Sequence, residues 1–89
     1  MSERYEVIAT VKSIKGKCPL EHFEGEQFRL GSKTPRGLCA SAYVAIHPSA
    51  RVLEFGGKFP WDSDPDCTEI CCPDPGNPVV FELRRVQVD

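Results

Sequence analysis

Alternation of apolar and polar residues marks the two ends of the chain. In residues 5–14, YEVIATVKSI, Tyr5, Val7, Ala9 and Val11 point one way and Glu6, Thr10 and Lys12 the other. A two-residue period rich in β-branched side chains predicts a half-buried strand. Gly16 ends it, and KGKCPLEHFEGE follows as a loop carrying Cys18, Pro19 and His22, with a turn at Glu24-Gly25-Glu26. QFRL, residues 27–30, predicts a short second strand. At the far end VVFELRRVQV, residues 79–88, predicts a long strand with Val79, Phe81 and Leu83 on one face. The apolar phase then moves to Val86 and Val88, which predicts a β-bulge near Arg84–Arg85.

The middle of the chain changes period. Thr34 before Pro35 predicts a helix start, a hydroxyl cap followed by proline in the first turn. Leu38, Ala42, Ala45 and Ile46 recur at helical spacing and face the core. Pro48 predicts the helix end, or a kink, near His47. RVLEF, residues 51–55, then predicts a strand, Gly56-Gly57 a turn, and FPWDSDPD an irregular acidic loop. TEICC, residues 68–72, predicts a short strand that stops at Pro73, and PDPGNP is turn chemistry. The predicted fold class is α+β: a small, strongly curved, mainly antiparallel β-sheet with one packed α-helix, in a single domain over residues 1–89. The first and last strands, being longest, are expected to lie centrally.

Composition narrows the function classes. The 89 residues are 40% hydrophobic and 27% charged, ordinary for a globular domain, with a net charge of −2. Basic residues are scattered and only Arg84–Arg85 are adjacent, so no nucleic-acid partner is expected. No apolar stretch reaches the ~18 residues of a membrane span. Charges at Glu3, Arg4 and Glu6 make the start unlike a signal peptide. The expected location is cytoplasmic, where thiols stay reduced.

Five cysteines in so short a chain change the picture. The number is odd, and in a reducing compartment such residues bind metal or react more often than they form bridges. Any one of them alone also reads as a small buried hydrophobe. Cys18 and Cys72 are each followed by proline, which fixes the exit of the chain from a ligand. Cys39 falls in the first turn of the predicted helix, where the dipole favours a thiolate. In the C-x3-C-C run, Thr68, Ile70 and Cys72 share the inner face of a strand. Cys72 is therefore the preferred ligand, Cys71 the alternate, and Cys67 dispensable. His22, four residues after Cys18, lies within the loose spacing seen at zinc. His47 reads as structural, and Phe59-Pro60-Trp61 as an apolar knot on the core or at an interface.

The strings KGKCP (15–19), GGKFPW (56–61) and CCPDPGNPVVFELRR (71–85) resemble an uncharacterised family of small, cysteine-containing prokaryotic proteins of about this length. The likeness runs from the first strand to the last. It implies a single-domain protein in which Cys18, Cys39 and Cys72 fall inside recurring motifs, and it implies no substrate. Members carry a Gly-His pair after Cys-Pro; here Glu21 precedes His22.

The leading expectation is a small metal- or iron–sulfur-binding protein, not an independent enzyme. Cys18, Cys39 and Cys72 would be its ligands, Cys71 or His22 the fourth, and an iron–sulfur cluster or zinc the cofactor. Its role would be electron transfer, metal handling or sensing, with a redox protein as partner. A metal-free module that forms a homo-oligomer or docks a partner is the alternative. A thiol enzyme with Cys39 as nucleophile and His22 or His47 as base is the third.

Overall fold

The computed structural model describes residues 4–17 and 21–88. The two alternating stretches become its central strands, β1 (Arg4–Ile14) and β4 (Val79–Val88), paired antiparallel along most of their length. β2 (Gln27–Leu30) adds to the outer side of β1, and β3 (Cys67–Cys71) to that of β4, giving the order β2-β1-β4-β3. All three pairings are antiparallel. A single helix, α1 (Ala40–Glu54), crosses one face and carries the chain from the β2 edge to the β3 edge. The fold is thus the expected small α+β domain with one helix packed on an antiparallel sheet. Among the described residues no helix is long and apolar enough to cross a membrane.

The helix-facing side of the sheet holds Val7, Ala9, Val11, Phe28, Leu30, Val79, Phe81 and Leu83, which meet Ala42, Ile46, Ala50 and Leu53 of α1. The other face is wet and charged. There Glu69 and Glu82 stand directly opposite each other on β3 and β4, a repulsive arrangement. Lys12 relieves it through an ion pair with Glu69, and Arg84 approaches Glu82 at 3.6 Å.

Two expectations are corrected and one turn is refined. First, the helix starts later and runs further. Cys39, not Thr34, is its cap, and its carbonyl accepts the Tyr43 N–H at 2.9 Å. The helix passes through Pro48 and absorbs RVLE, so residues 51–55 form no strand. Proline at 48 removes the hydrogen bond to the Val44 carbonyl and crowds it. Val44 is on the solvent side, with 73% of its surface exposed, so water can serve that carbonyl while the buried stripe stays intact. Pro48→Ala is expected to stabilise the protein by about 1–2 kcal/mol, the restored helical bond being offset by a freer unfolded chain. Urea denaturation measures this, and a loss of stability would show that Pro48 shapes the packing.

Second, the helix ends in a glycine cap that extends the legible Gly56-Gly57 turn. Gly56 takes φ +85°, its N–H reaches Leu53 O at 3.1 Å, and the Gly57 N–H reaches Val52 O at 2.8 Å. These two bonds and the left-handed residue are a Schellman motif.

Third, the irregularity of the central pair lies on the opposite strand. The register shifts between Val11 and Ser13, leaving Lys12 as the extra residue of β1. β4 keeps its two-residue period through Arg84–Arg85, because the inward position after Leu83 is occupied by Arg85 itself, only 9% exposed. Its Nε donates to Asp66 Oδ1 at 2.8 Å, and its Nη1 donates to the carbonyls of Leu53 at 3.2 Å and Gly57 at 2.6 Å. Its guanidinium lies 4.7 Å over the ring of Tyr5. Arg85 therefore joins the helix end, the loop before β3 and the two central strands.

Candidate functional site

At the opposite end of the helix a cavity of about 360 Å³ opens between α1, the end of β3 and the turn that follows. Ala42, Pro73, Val79 and Phe81 give it apolar walls, while Cys39, Cys72 and His22 bring chemistry to it. These three come from separate segments of the chain.

Each is held by identifiable contacts. Cys72 follows β3 on the inward side, and its N–H reaches Val79 O at 2.8 Å. The Val79 N–H returns to Cys72 Sγ at 3.2 Å, which fixes the sulfur. Between them the turn is closed by Asp74, whose Oδ1 accepts the N–H groups of Gly76 at 3.0 Å and Asn77 at 3.2 Å. This is the local carboxylate-to-backbone bonding for which Asp is favoured in turns.

Asn77 extends the connection to the first loop. Its Oδ1 accepts the Lys17 N–H at 2.9 Å, and the Lys15 N–H reaches Pro78 O at 3.0 Å. Gly16, at φ +89°, passes so near Asn77 that a Cβ there would strike the carboxamide. Lys15, Gly16 and Lys17 are thus neighbours in space of the CCPDPGNP string. Cys18 and Pro19 lie outside the described residues; the chain leaves Lys17 beside Asn77 and returns at Glu21 and His22.

Glu21 returns at φ +64°, a left-handed conformation that costs a side chain and suits glycine. It is exposed. Glu21→Gly is therefore expected to stabilise by about 0.5–1 kcal/mol, strain relief outweighing the extra freedom of the unfolded chain. A thermal melt checks this; a lowered midpoint would mean that the Glu21 side chain earns its place.

His22 is 7% exposed and packs edge-on against Phe28, ring centres 5.4 Å apart, and Phe81 at 6.3 Å. Its Nδ1 lies 2.8 Å from Glu26 Oε1, and its Nε2 takes the backbone N–H of Cys39 at 3.2 Å. A backbone amide can only donate, so Nε2 is the acceptor and Nδ1 carries the proton toward Glu26. Both ring nitrogens are thereby engaged. The bond fixes the start of α1 by satisfying the cap residue's own N–H, a role that a capping box gives to a side chain within the helix. As a metal ligand, His22 would have to release Cys39. As a base for the Cys39 thiol it is likewise committed to that residue's backbone.

The remaining candidates stand apart from the cavity. Cys71 is exposed, opposite Val80, and does not line the cavity, though its thiol contacts that of Cys72; burial of its sulfur, then the charge and hydrogen bond of Cys72, raise its pKa. Cys67 begins β3 on the same face as Glu69; burial first, and Glu82 next, push its thiol up. His47 stacks on Tyr43 with centres 4.9 Å apart. Phe59 stacks on Trp61 at 5.1 Å, with Phe59 half-buried against the core and Trp61 73% exposed. Among the described residues no three His, Cys, Asp or Glu side chains come close enough together to hold a metal ion.

From sequence, Glu26, Asp74 and Asn77 read only as turn residues, with no role at the site. The i,i+4 spacing of His22 and Glu26 was a usable signal, as was Asp74 two residues before glycine. The pairing of Asn77 with Lys17 was not, since it depends on strand register.

Fold and site define a small α+β domain with a thiol-lined cavity at a helix N-terminus. Comparison of the chain with protein-family models, with curated proteins and with solved structures gives no match.

Proposed function

We propose that the cavity is a soft-metal site and the protein a small metal-binding protein, with Cys39 and Cys72 as thiolate ligands and Cys18 as the third. One observation carries this reading: Cys39 and Cys72, distant in sequence, line the same cavity. Support also comes from the chain on either side of Cys18, since Lys17 is bonded to Asn77 and His22 lines the cavity. Thiolates select soft or borderline ions. Neither proposed fourth ligand is poised for the role. His22 is engaged at both nitrogens, and Cys71 is exposed and does not line the cavity.

Anaerobic purification followed by metal and acid-labile sulfide analysis tests the proposal. About one metal per chain is expected, lost in Cys39→Ser and Cys72→Ser. Less than about a tenth of an equivalent of any metal in the intact protein would end it. In that event the metal-free assembly module is the second reading, favoured by the exposure of Phe55 and Trp61, 69% and 73%. It predicts an oligomer by light scattering and a melting point indifferent to chelators.

A further inference from the structure

We infer that the protein forms a two-fold dimer in which the outer face of α1 packs antiparallel on the same face of a second copy, with Pro48 at the axis. The inference does not rest on the metal reading of the cavity; it gives the assembly reading a specific contact.

The helix is apolar on both sides. Its inner stripe, Ala42, Ile46, Ala50 and Leu53, is buried on the sheet. A surface helix ordinarily turns charge to the outside. Here the run ASAYVAIHPSARVLE holds two charged side chains, Arg51 and Glu54, and they pair with each other at 2.9 Å. The outermost line is Ser41, Val44, Pro48, Val52 and Phe55, all exposed. Steps of three and four residues keep it on one stripe. Counted from Pro48, the stripe reads the same in both directions.

That symmetry is what a two-fold contact needs, since it sets residue i against j and j against i. With Pro48 on the axis, Val44 meets Val52 of the second copy and Ser41 meets Phe55. The large ring faces a small residue, and Ala45 and Ser49 beside the stripe are small as well, so the helices can approach closely. The contact also answers the Val44 carbonyl, which Pro48 leaves without its helical donor. Arg51 of the second copy comes level with Ala45, beside that carbonyl. A guanidinium has five N–H groups, enough for Glu54 and a carbonyl together. Ser41 lines the cavity, so Phe55 of the second copy comes to the cavity rim.

Val44, Pro48, Val52 and Phe55 offer roughly 300–400 Å² of apolar surface per copy. A stable interface buries about 800 Å² per partner, polar rim included. The stripe suffices as the core of a contact near the lower end of that range. A lipid surface is the poorer occupant, because membrane-binding helices are flanked by several Lys and Arg and α1 has Arg51 alone.

Sedimentation equilibrium of the protein, with a thiol reductant and a chelator present, tests this. Neither disulfides nor a shared metal then contributes. A dimer with a Kd on the order of 10 µM is expected. Val44→Glu and Val52→Lys should each weaken it by about thirtyfold or more, because each buries an unpaired charge at the centre. V44E/V52K should recover most of that loss. The two-fold then sets opposite charges against each other, whereas within one copy the two positions lie about two turns apart. Val86→Lys, altered on the far face of the sheet, should dimerise as the parent does. Both stripe positions are exposed, so circular dichroism of every variant should match the parent's. A parent still monomeric at about a hundred times that Kd would overturn the inference and the assembly reading together. A dimer that ignores Val44→Glu and Val52→Lys, or that V44E/V52K does not restore, would overturn the antiparallel stripe and leave assembly standing. A monomer that floats with phosphatidylserine vesicles, and loses them in Val44→Glu, would assign the stripe to lipid and overturn the pairing.

Discussion

Replacing Arg85 by Met should lower stability by about 3 kcal/mol, with a fall in melting temperature on the order of 15 °C. Met keeps the apolar stem and removes the guanidinium. The loss is large because of what is left behind. The carbonyls of Leu53 and Gly57 each lose a charged donor, and the helix end loses its attachment to β4. Hydrogen bonds from a charged group contribute about 1.5–3 kcal/mol each, more than the neutral kind. The partner across the ion pair matters less. Asp66 is half-exposed, with 52% of its side chain open to solvent, so Asp66→Asn should cost under about 1 kcal/mol. Lys at position 85 cannot reproduce the planar fork that serves Asp66 and two carbonyls together, so Arg85→Lys should recover little. Thermal and urea melts of the three variants check the ranking. If Asp66→Asn costs as much as Arg85→Met, the ion pair and not the carbonyl clamp holds this corner.

His22→Phe is the second large effect, about 2 kcal/mol of destabilisation. The ring still packs on Phe28 and Phe81, so little of the cost is a cavity. What disappears is the acceptor for the Cys39 N–H and the donor to Glu26, a carboxylate only 23% exposed. The damage should be local. Hydrogen exchange should quicken at the start of α1, over Cys39 to Ala42, and stay near the parent rate around Leu53. If the cavity holds a metal as proposed, its stoichiometry should be unchanged, because His22 would act by positioning Cys39 and not as a ligand. Loss of the metal in a variant whose sheet remains folded would make His22 a ligand and require a rearranged loop.

The strands were legible because each has one buried face, and burial enforces a two-residue period. VVFEL and YEVIATV could hardly be anything else. The helix was legible in kind but misjudged in extent. Pro48 predicts an end or a kink near His47 because a proline in the helix interior forfeits a hydrogen bond. That lost bond falls on the wet side, at Val44, so the helix continues. RVLEF misled because five residues cannot separate the two periods: only Leu53 is buried, while Val52 and Phe55 are exposed. Arg85 was hidden for a different reason. An inward arginine breaks the apolar alternation, and a bulge explains the same break equally well from sequence alone.

At the site, proline after Cys72 and the position of Cys39 at the helix start pointed to two residues that meet at one cavity. The engagement of His22 was not legible. It exists only because residues 21–26 fold back over Phe28 and bring an imidazole to a backbone amide 17 residues further along. Side chains can be nominated by type and spacing. Whether their lone pairs are free is decided by the tertiary neighbours.

Trp61 bears on how these experiments are read. It is the only tryptophan, and it stands on the surface stacked against Phe59. Its indole emits from nearly aqueous surroundings before denaturation begins, so melting of the sheet should scarcely shift its fluorescence. A flat emission trace across a transition that far-ultraviolet circular dichroism records in full would then be a signature of this placement, and no sign of a half-folded intermediate.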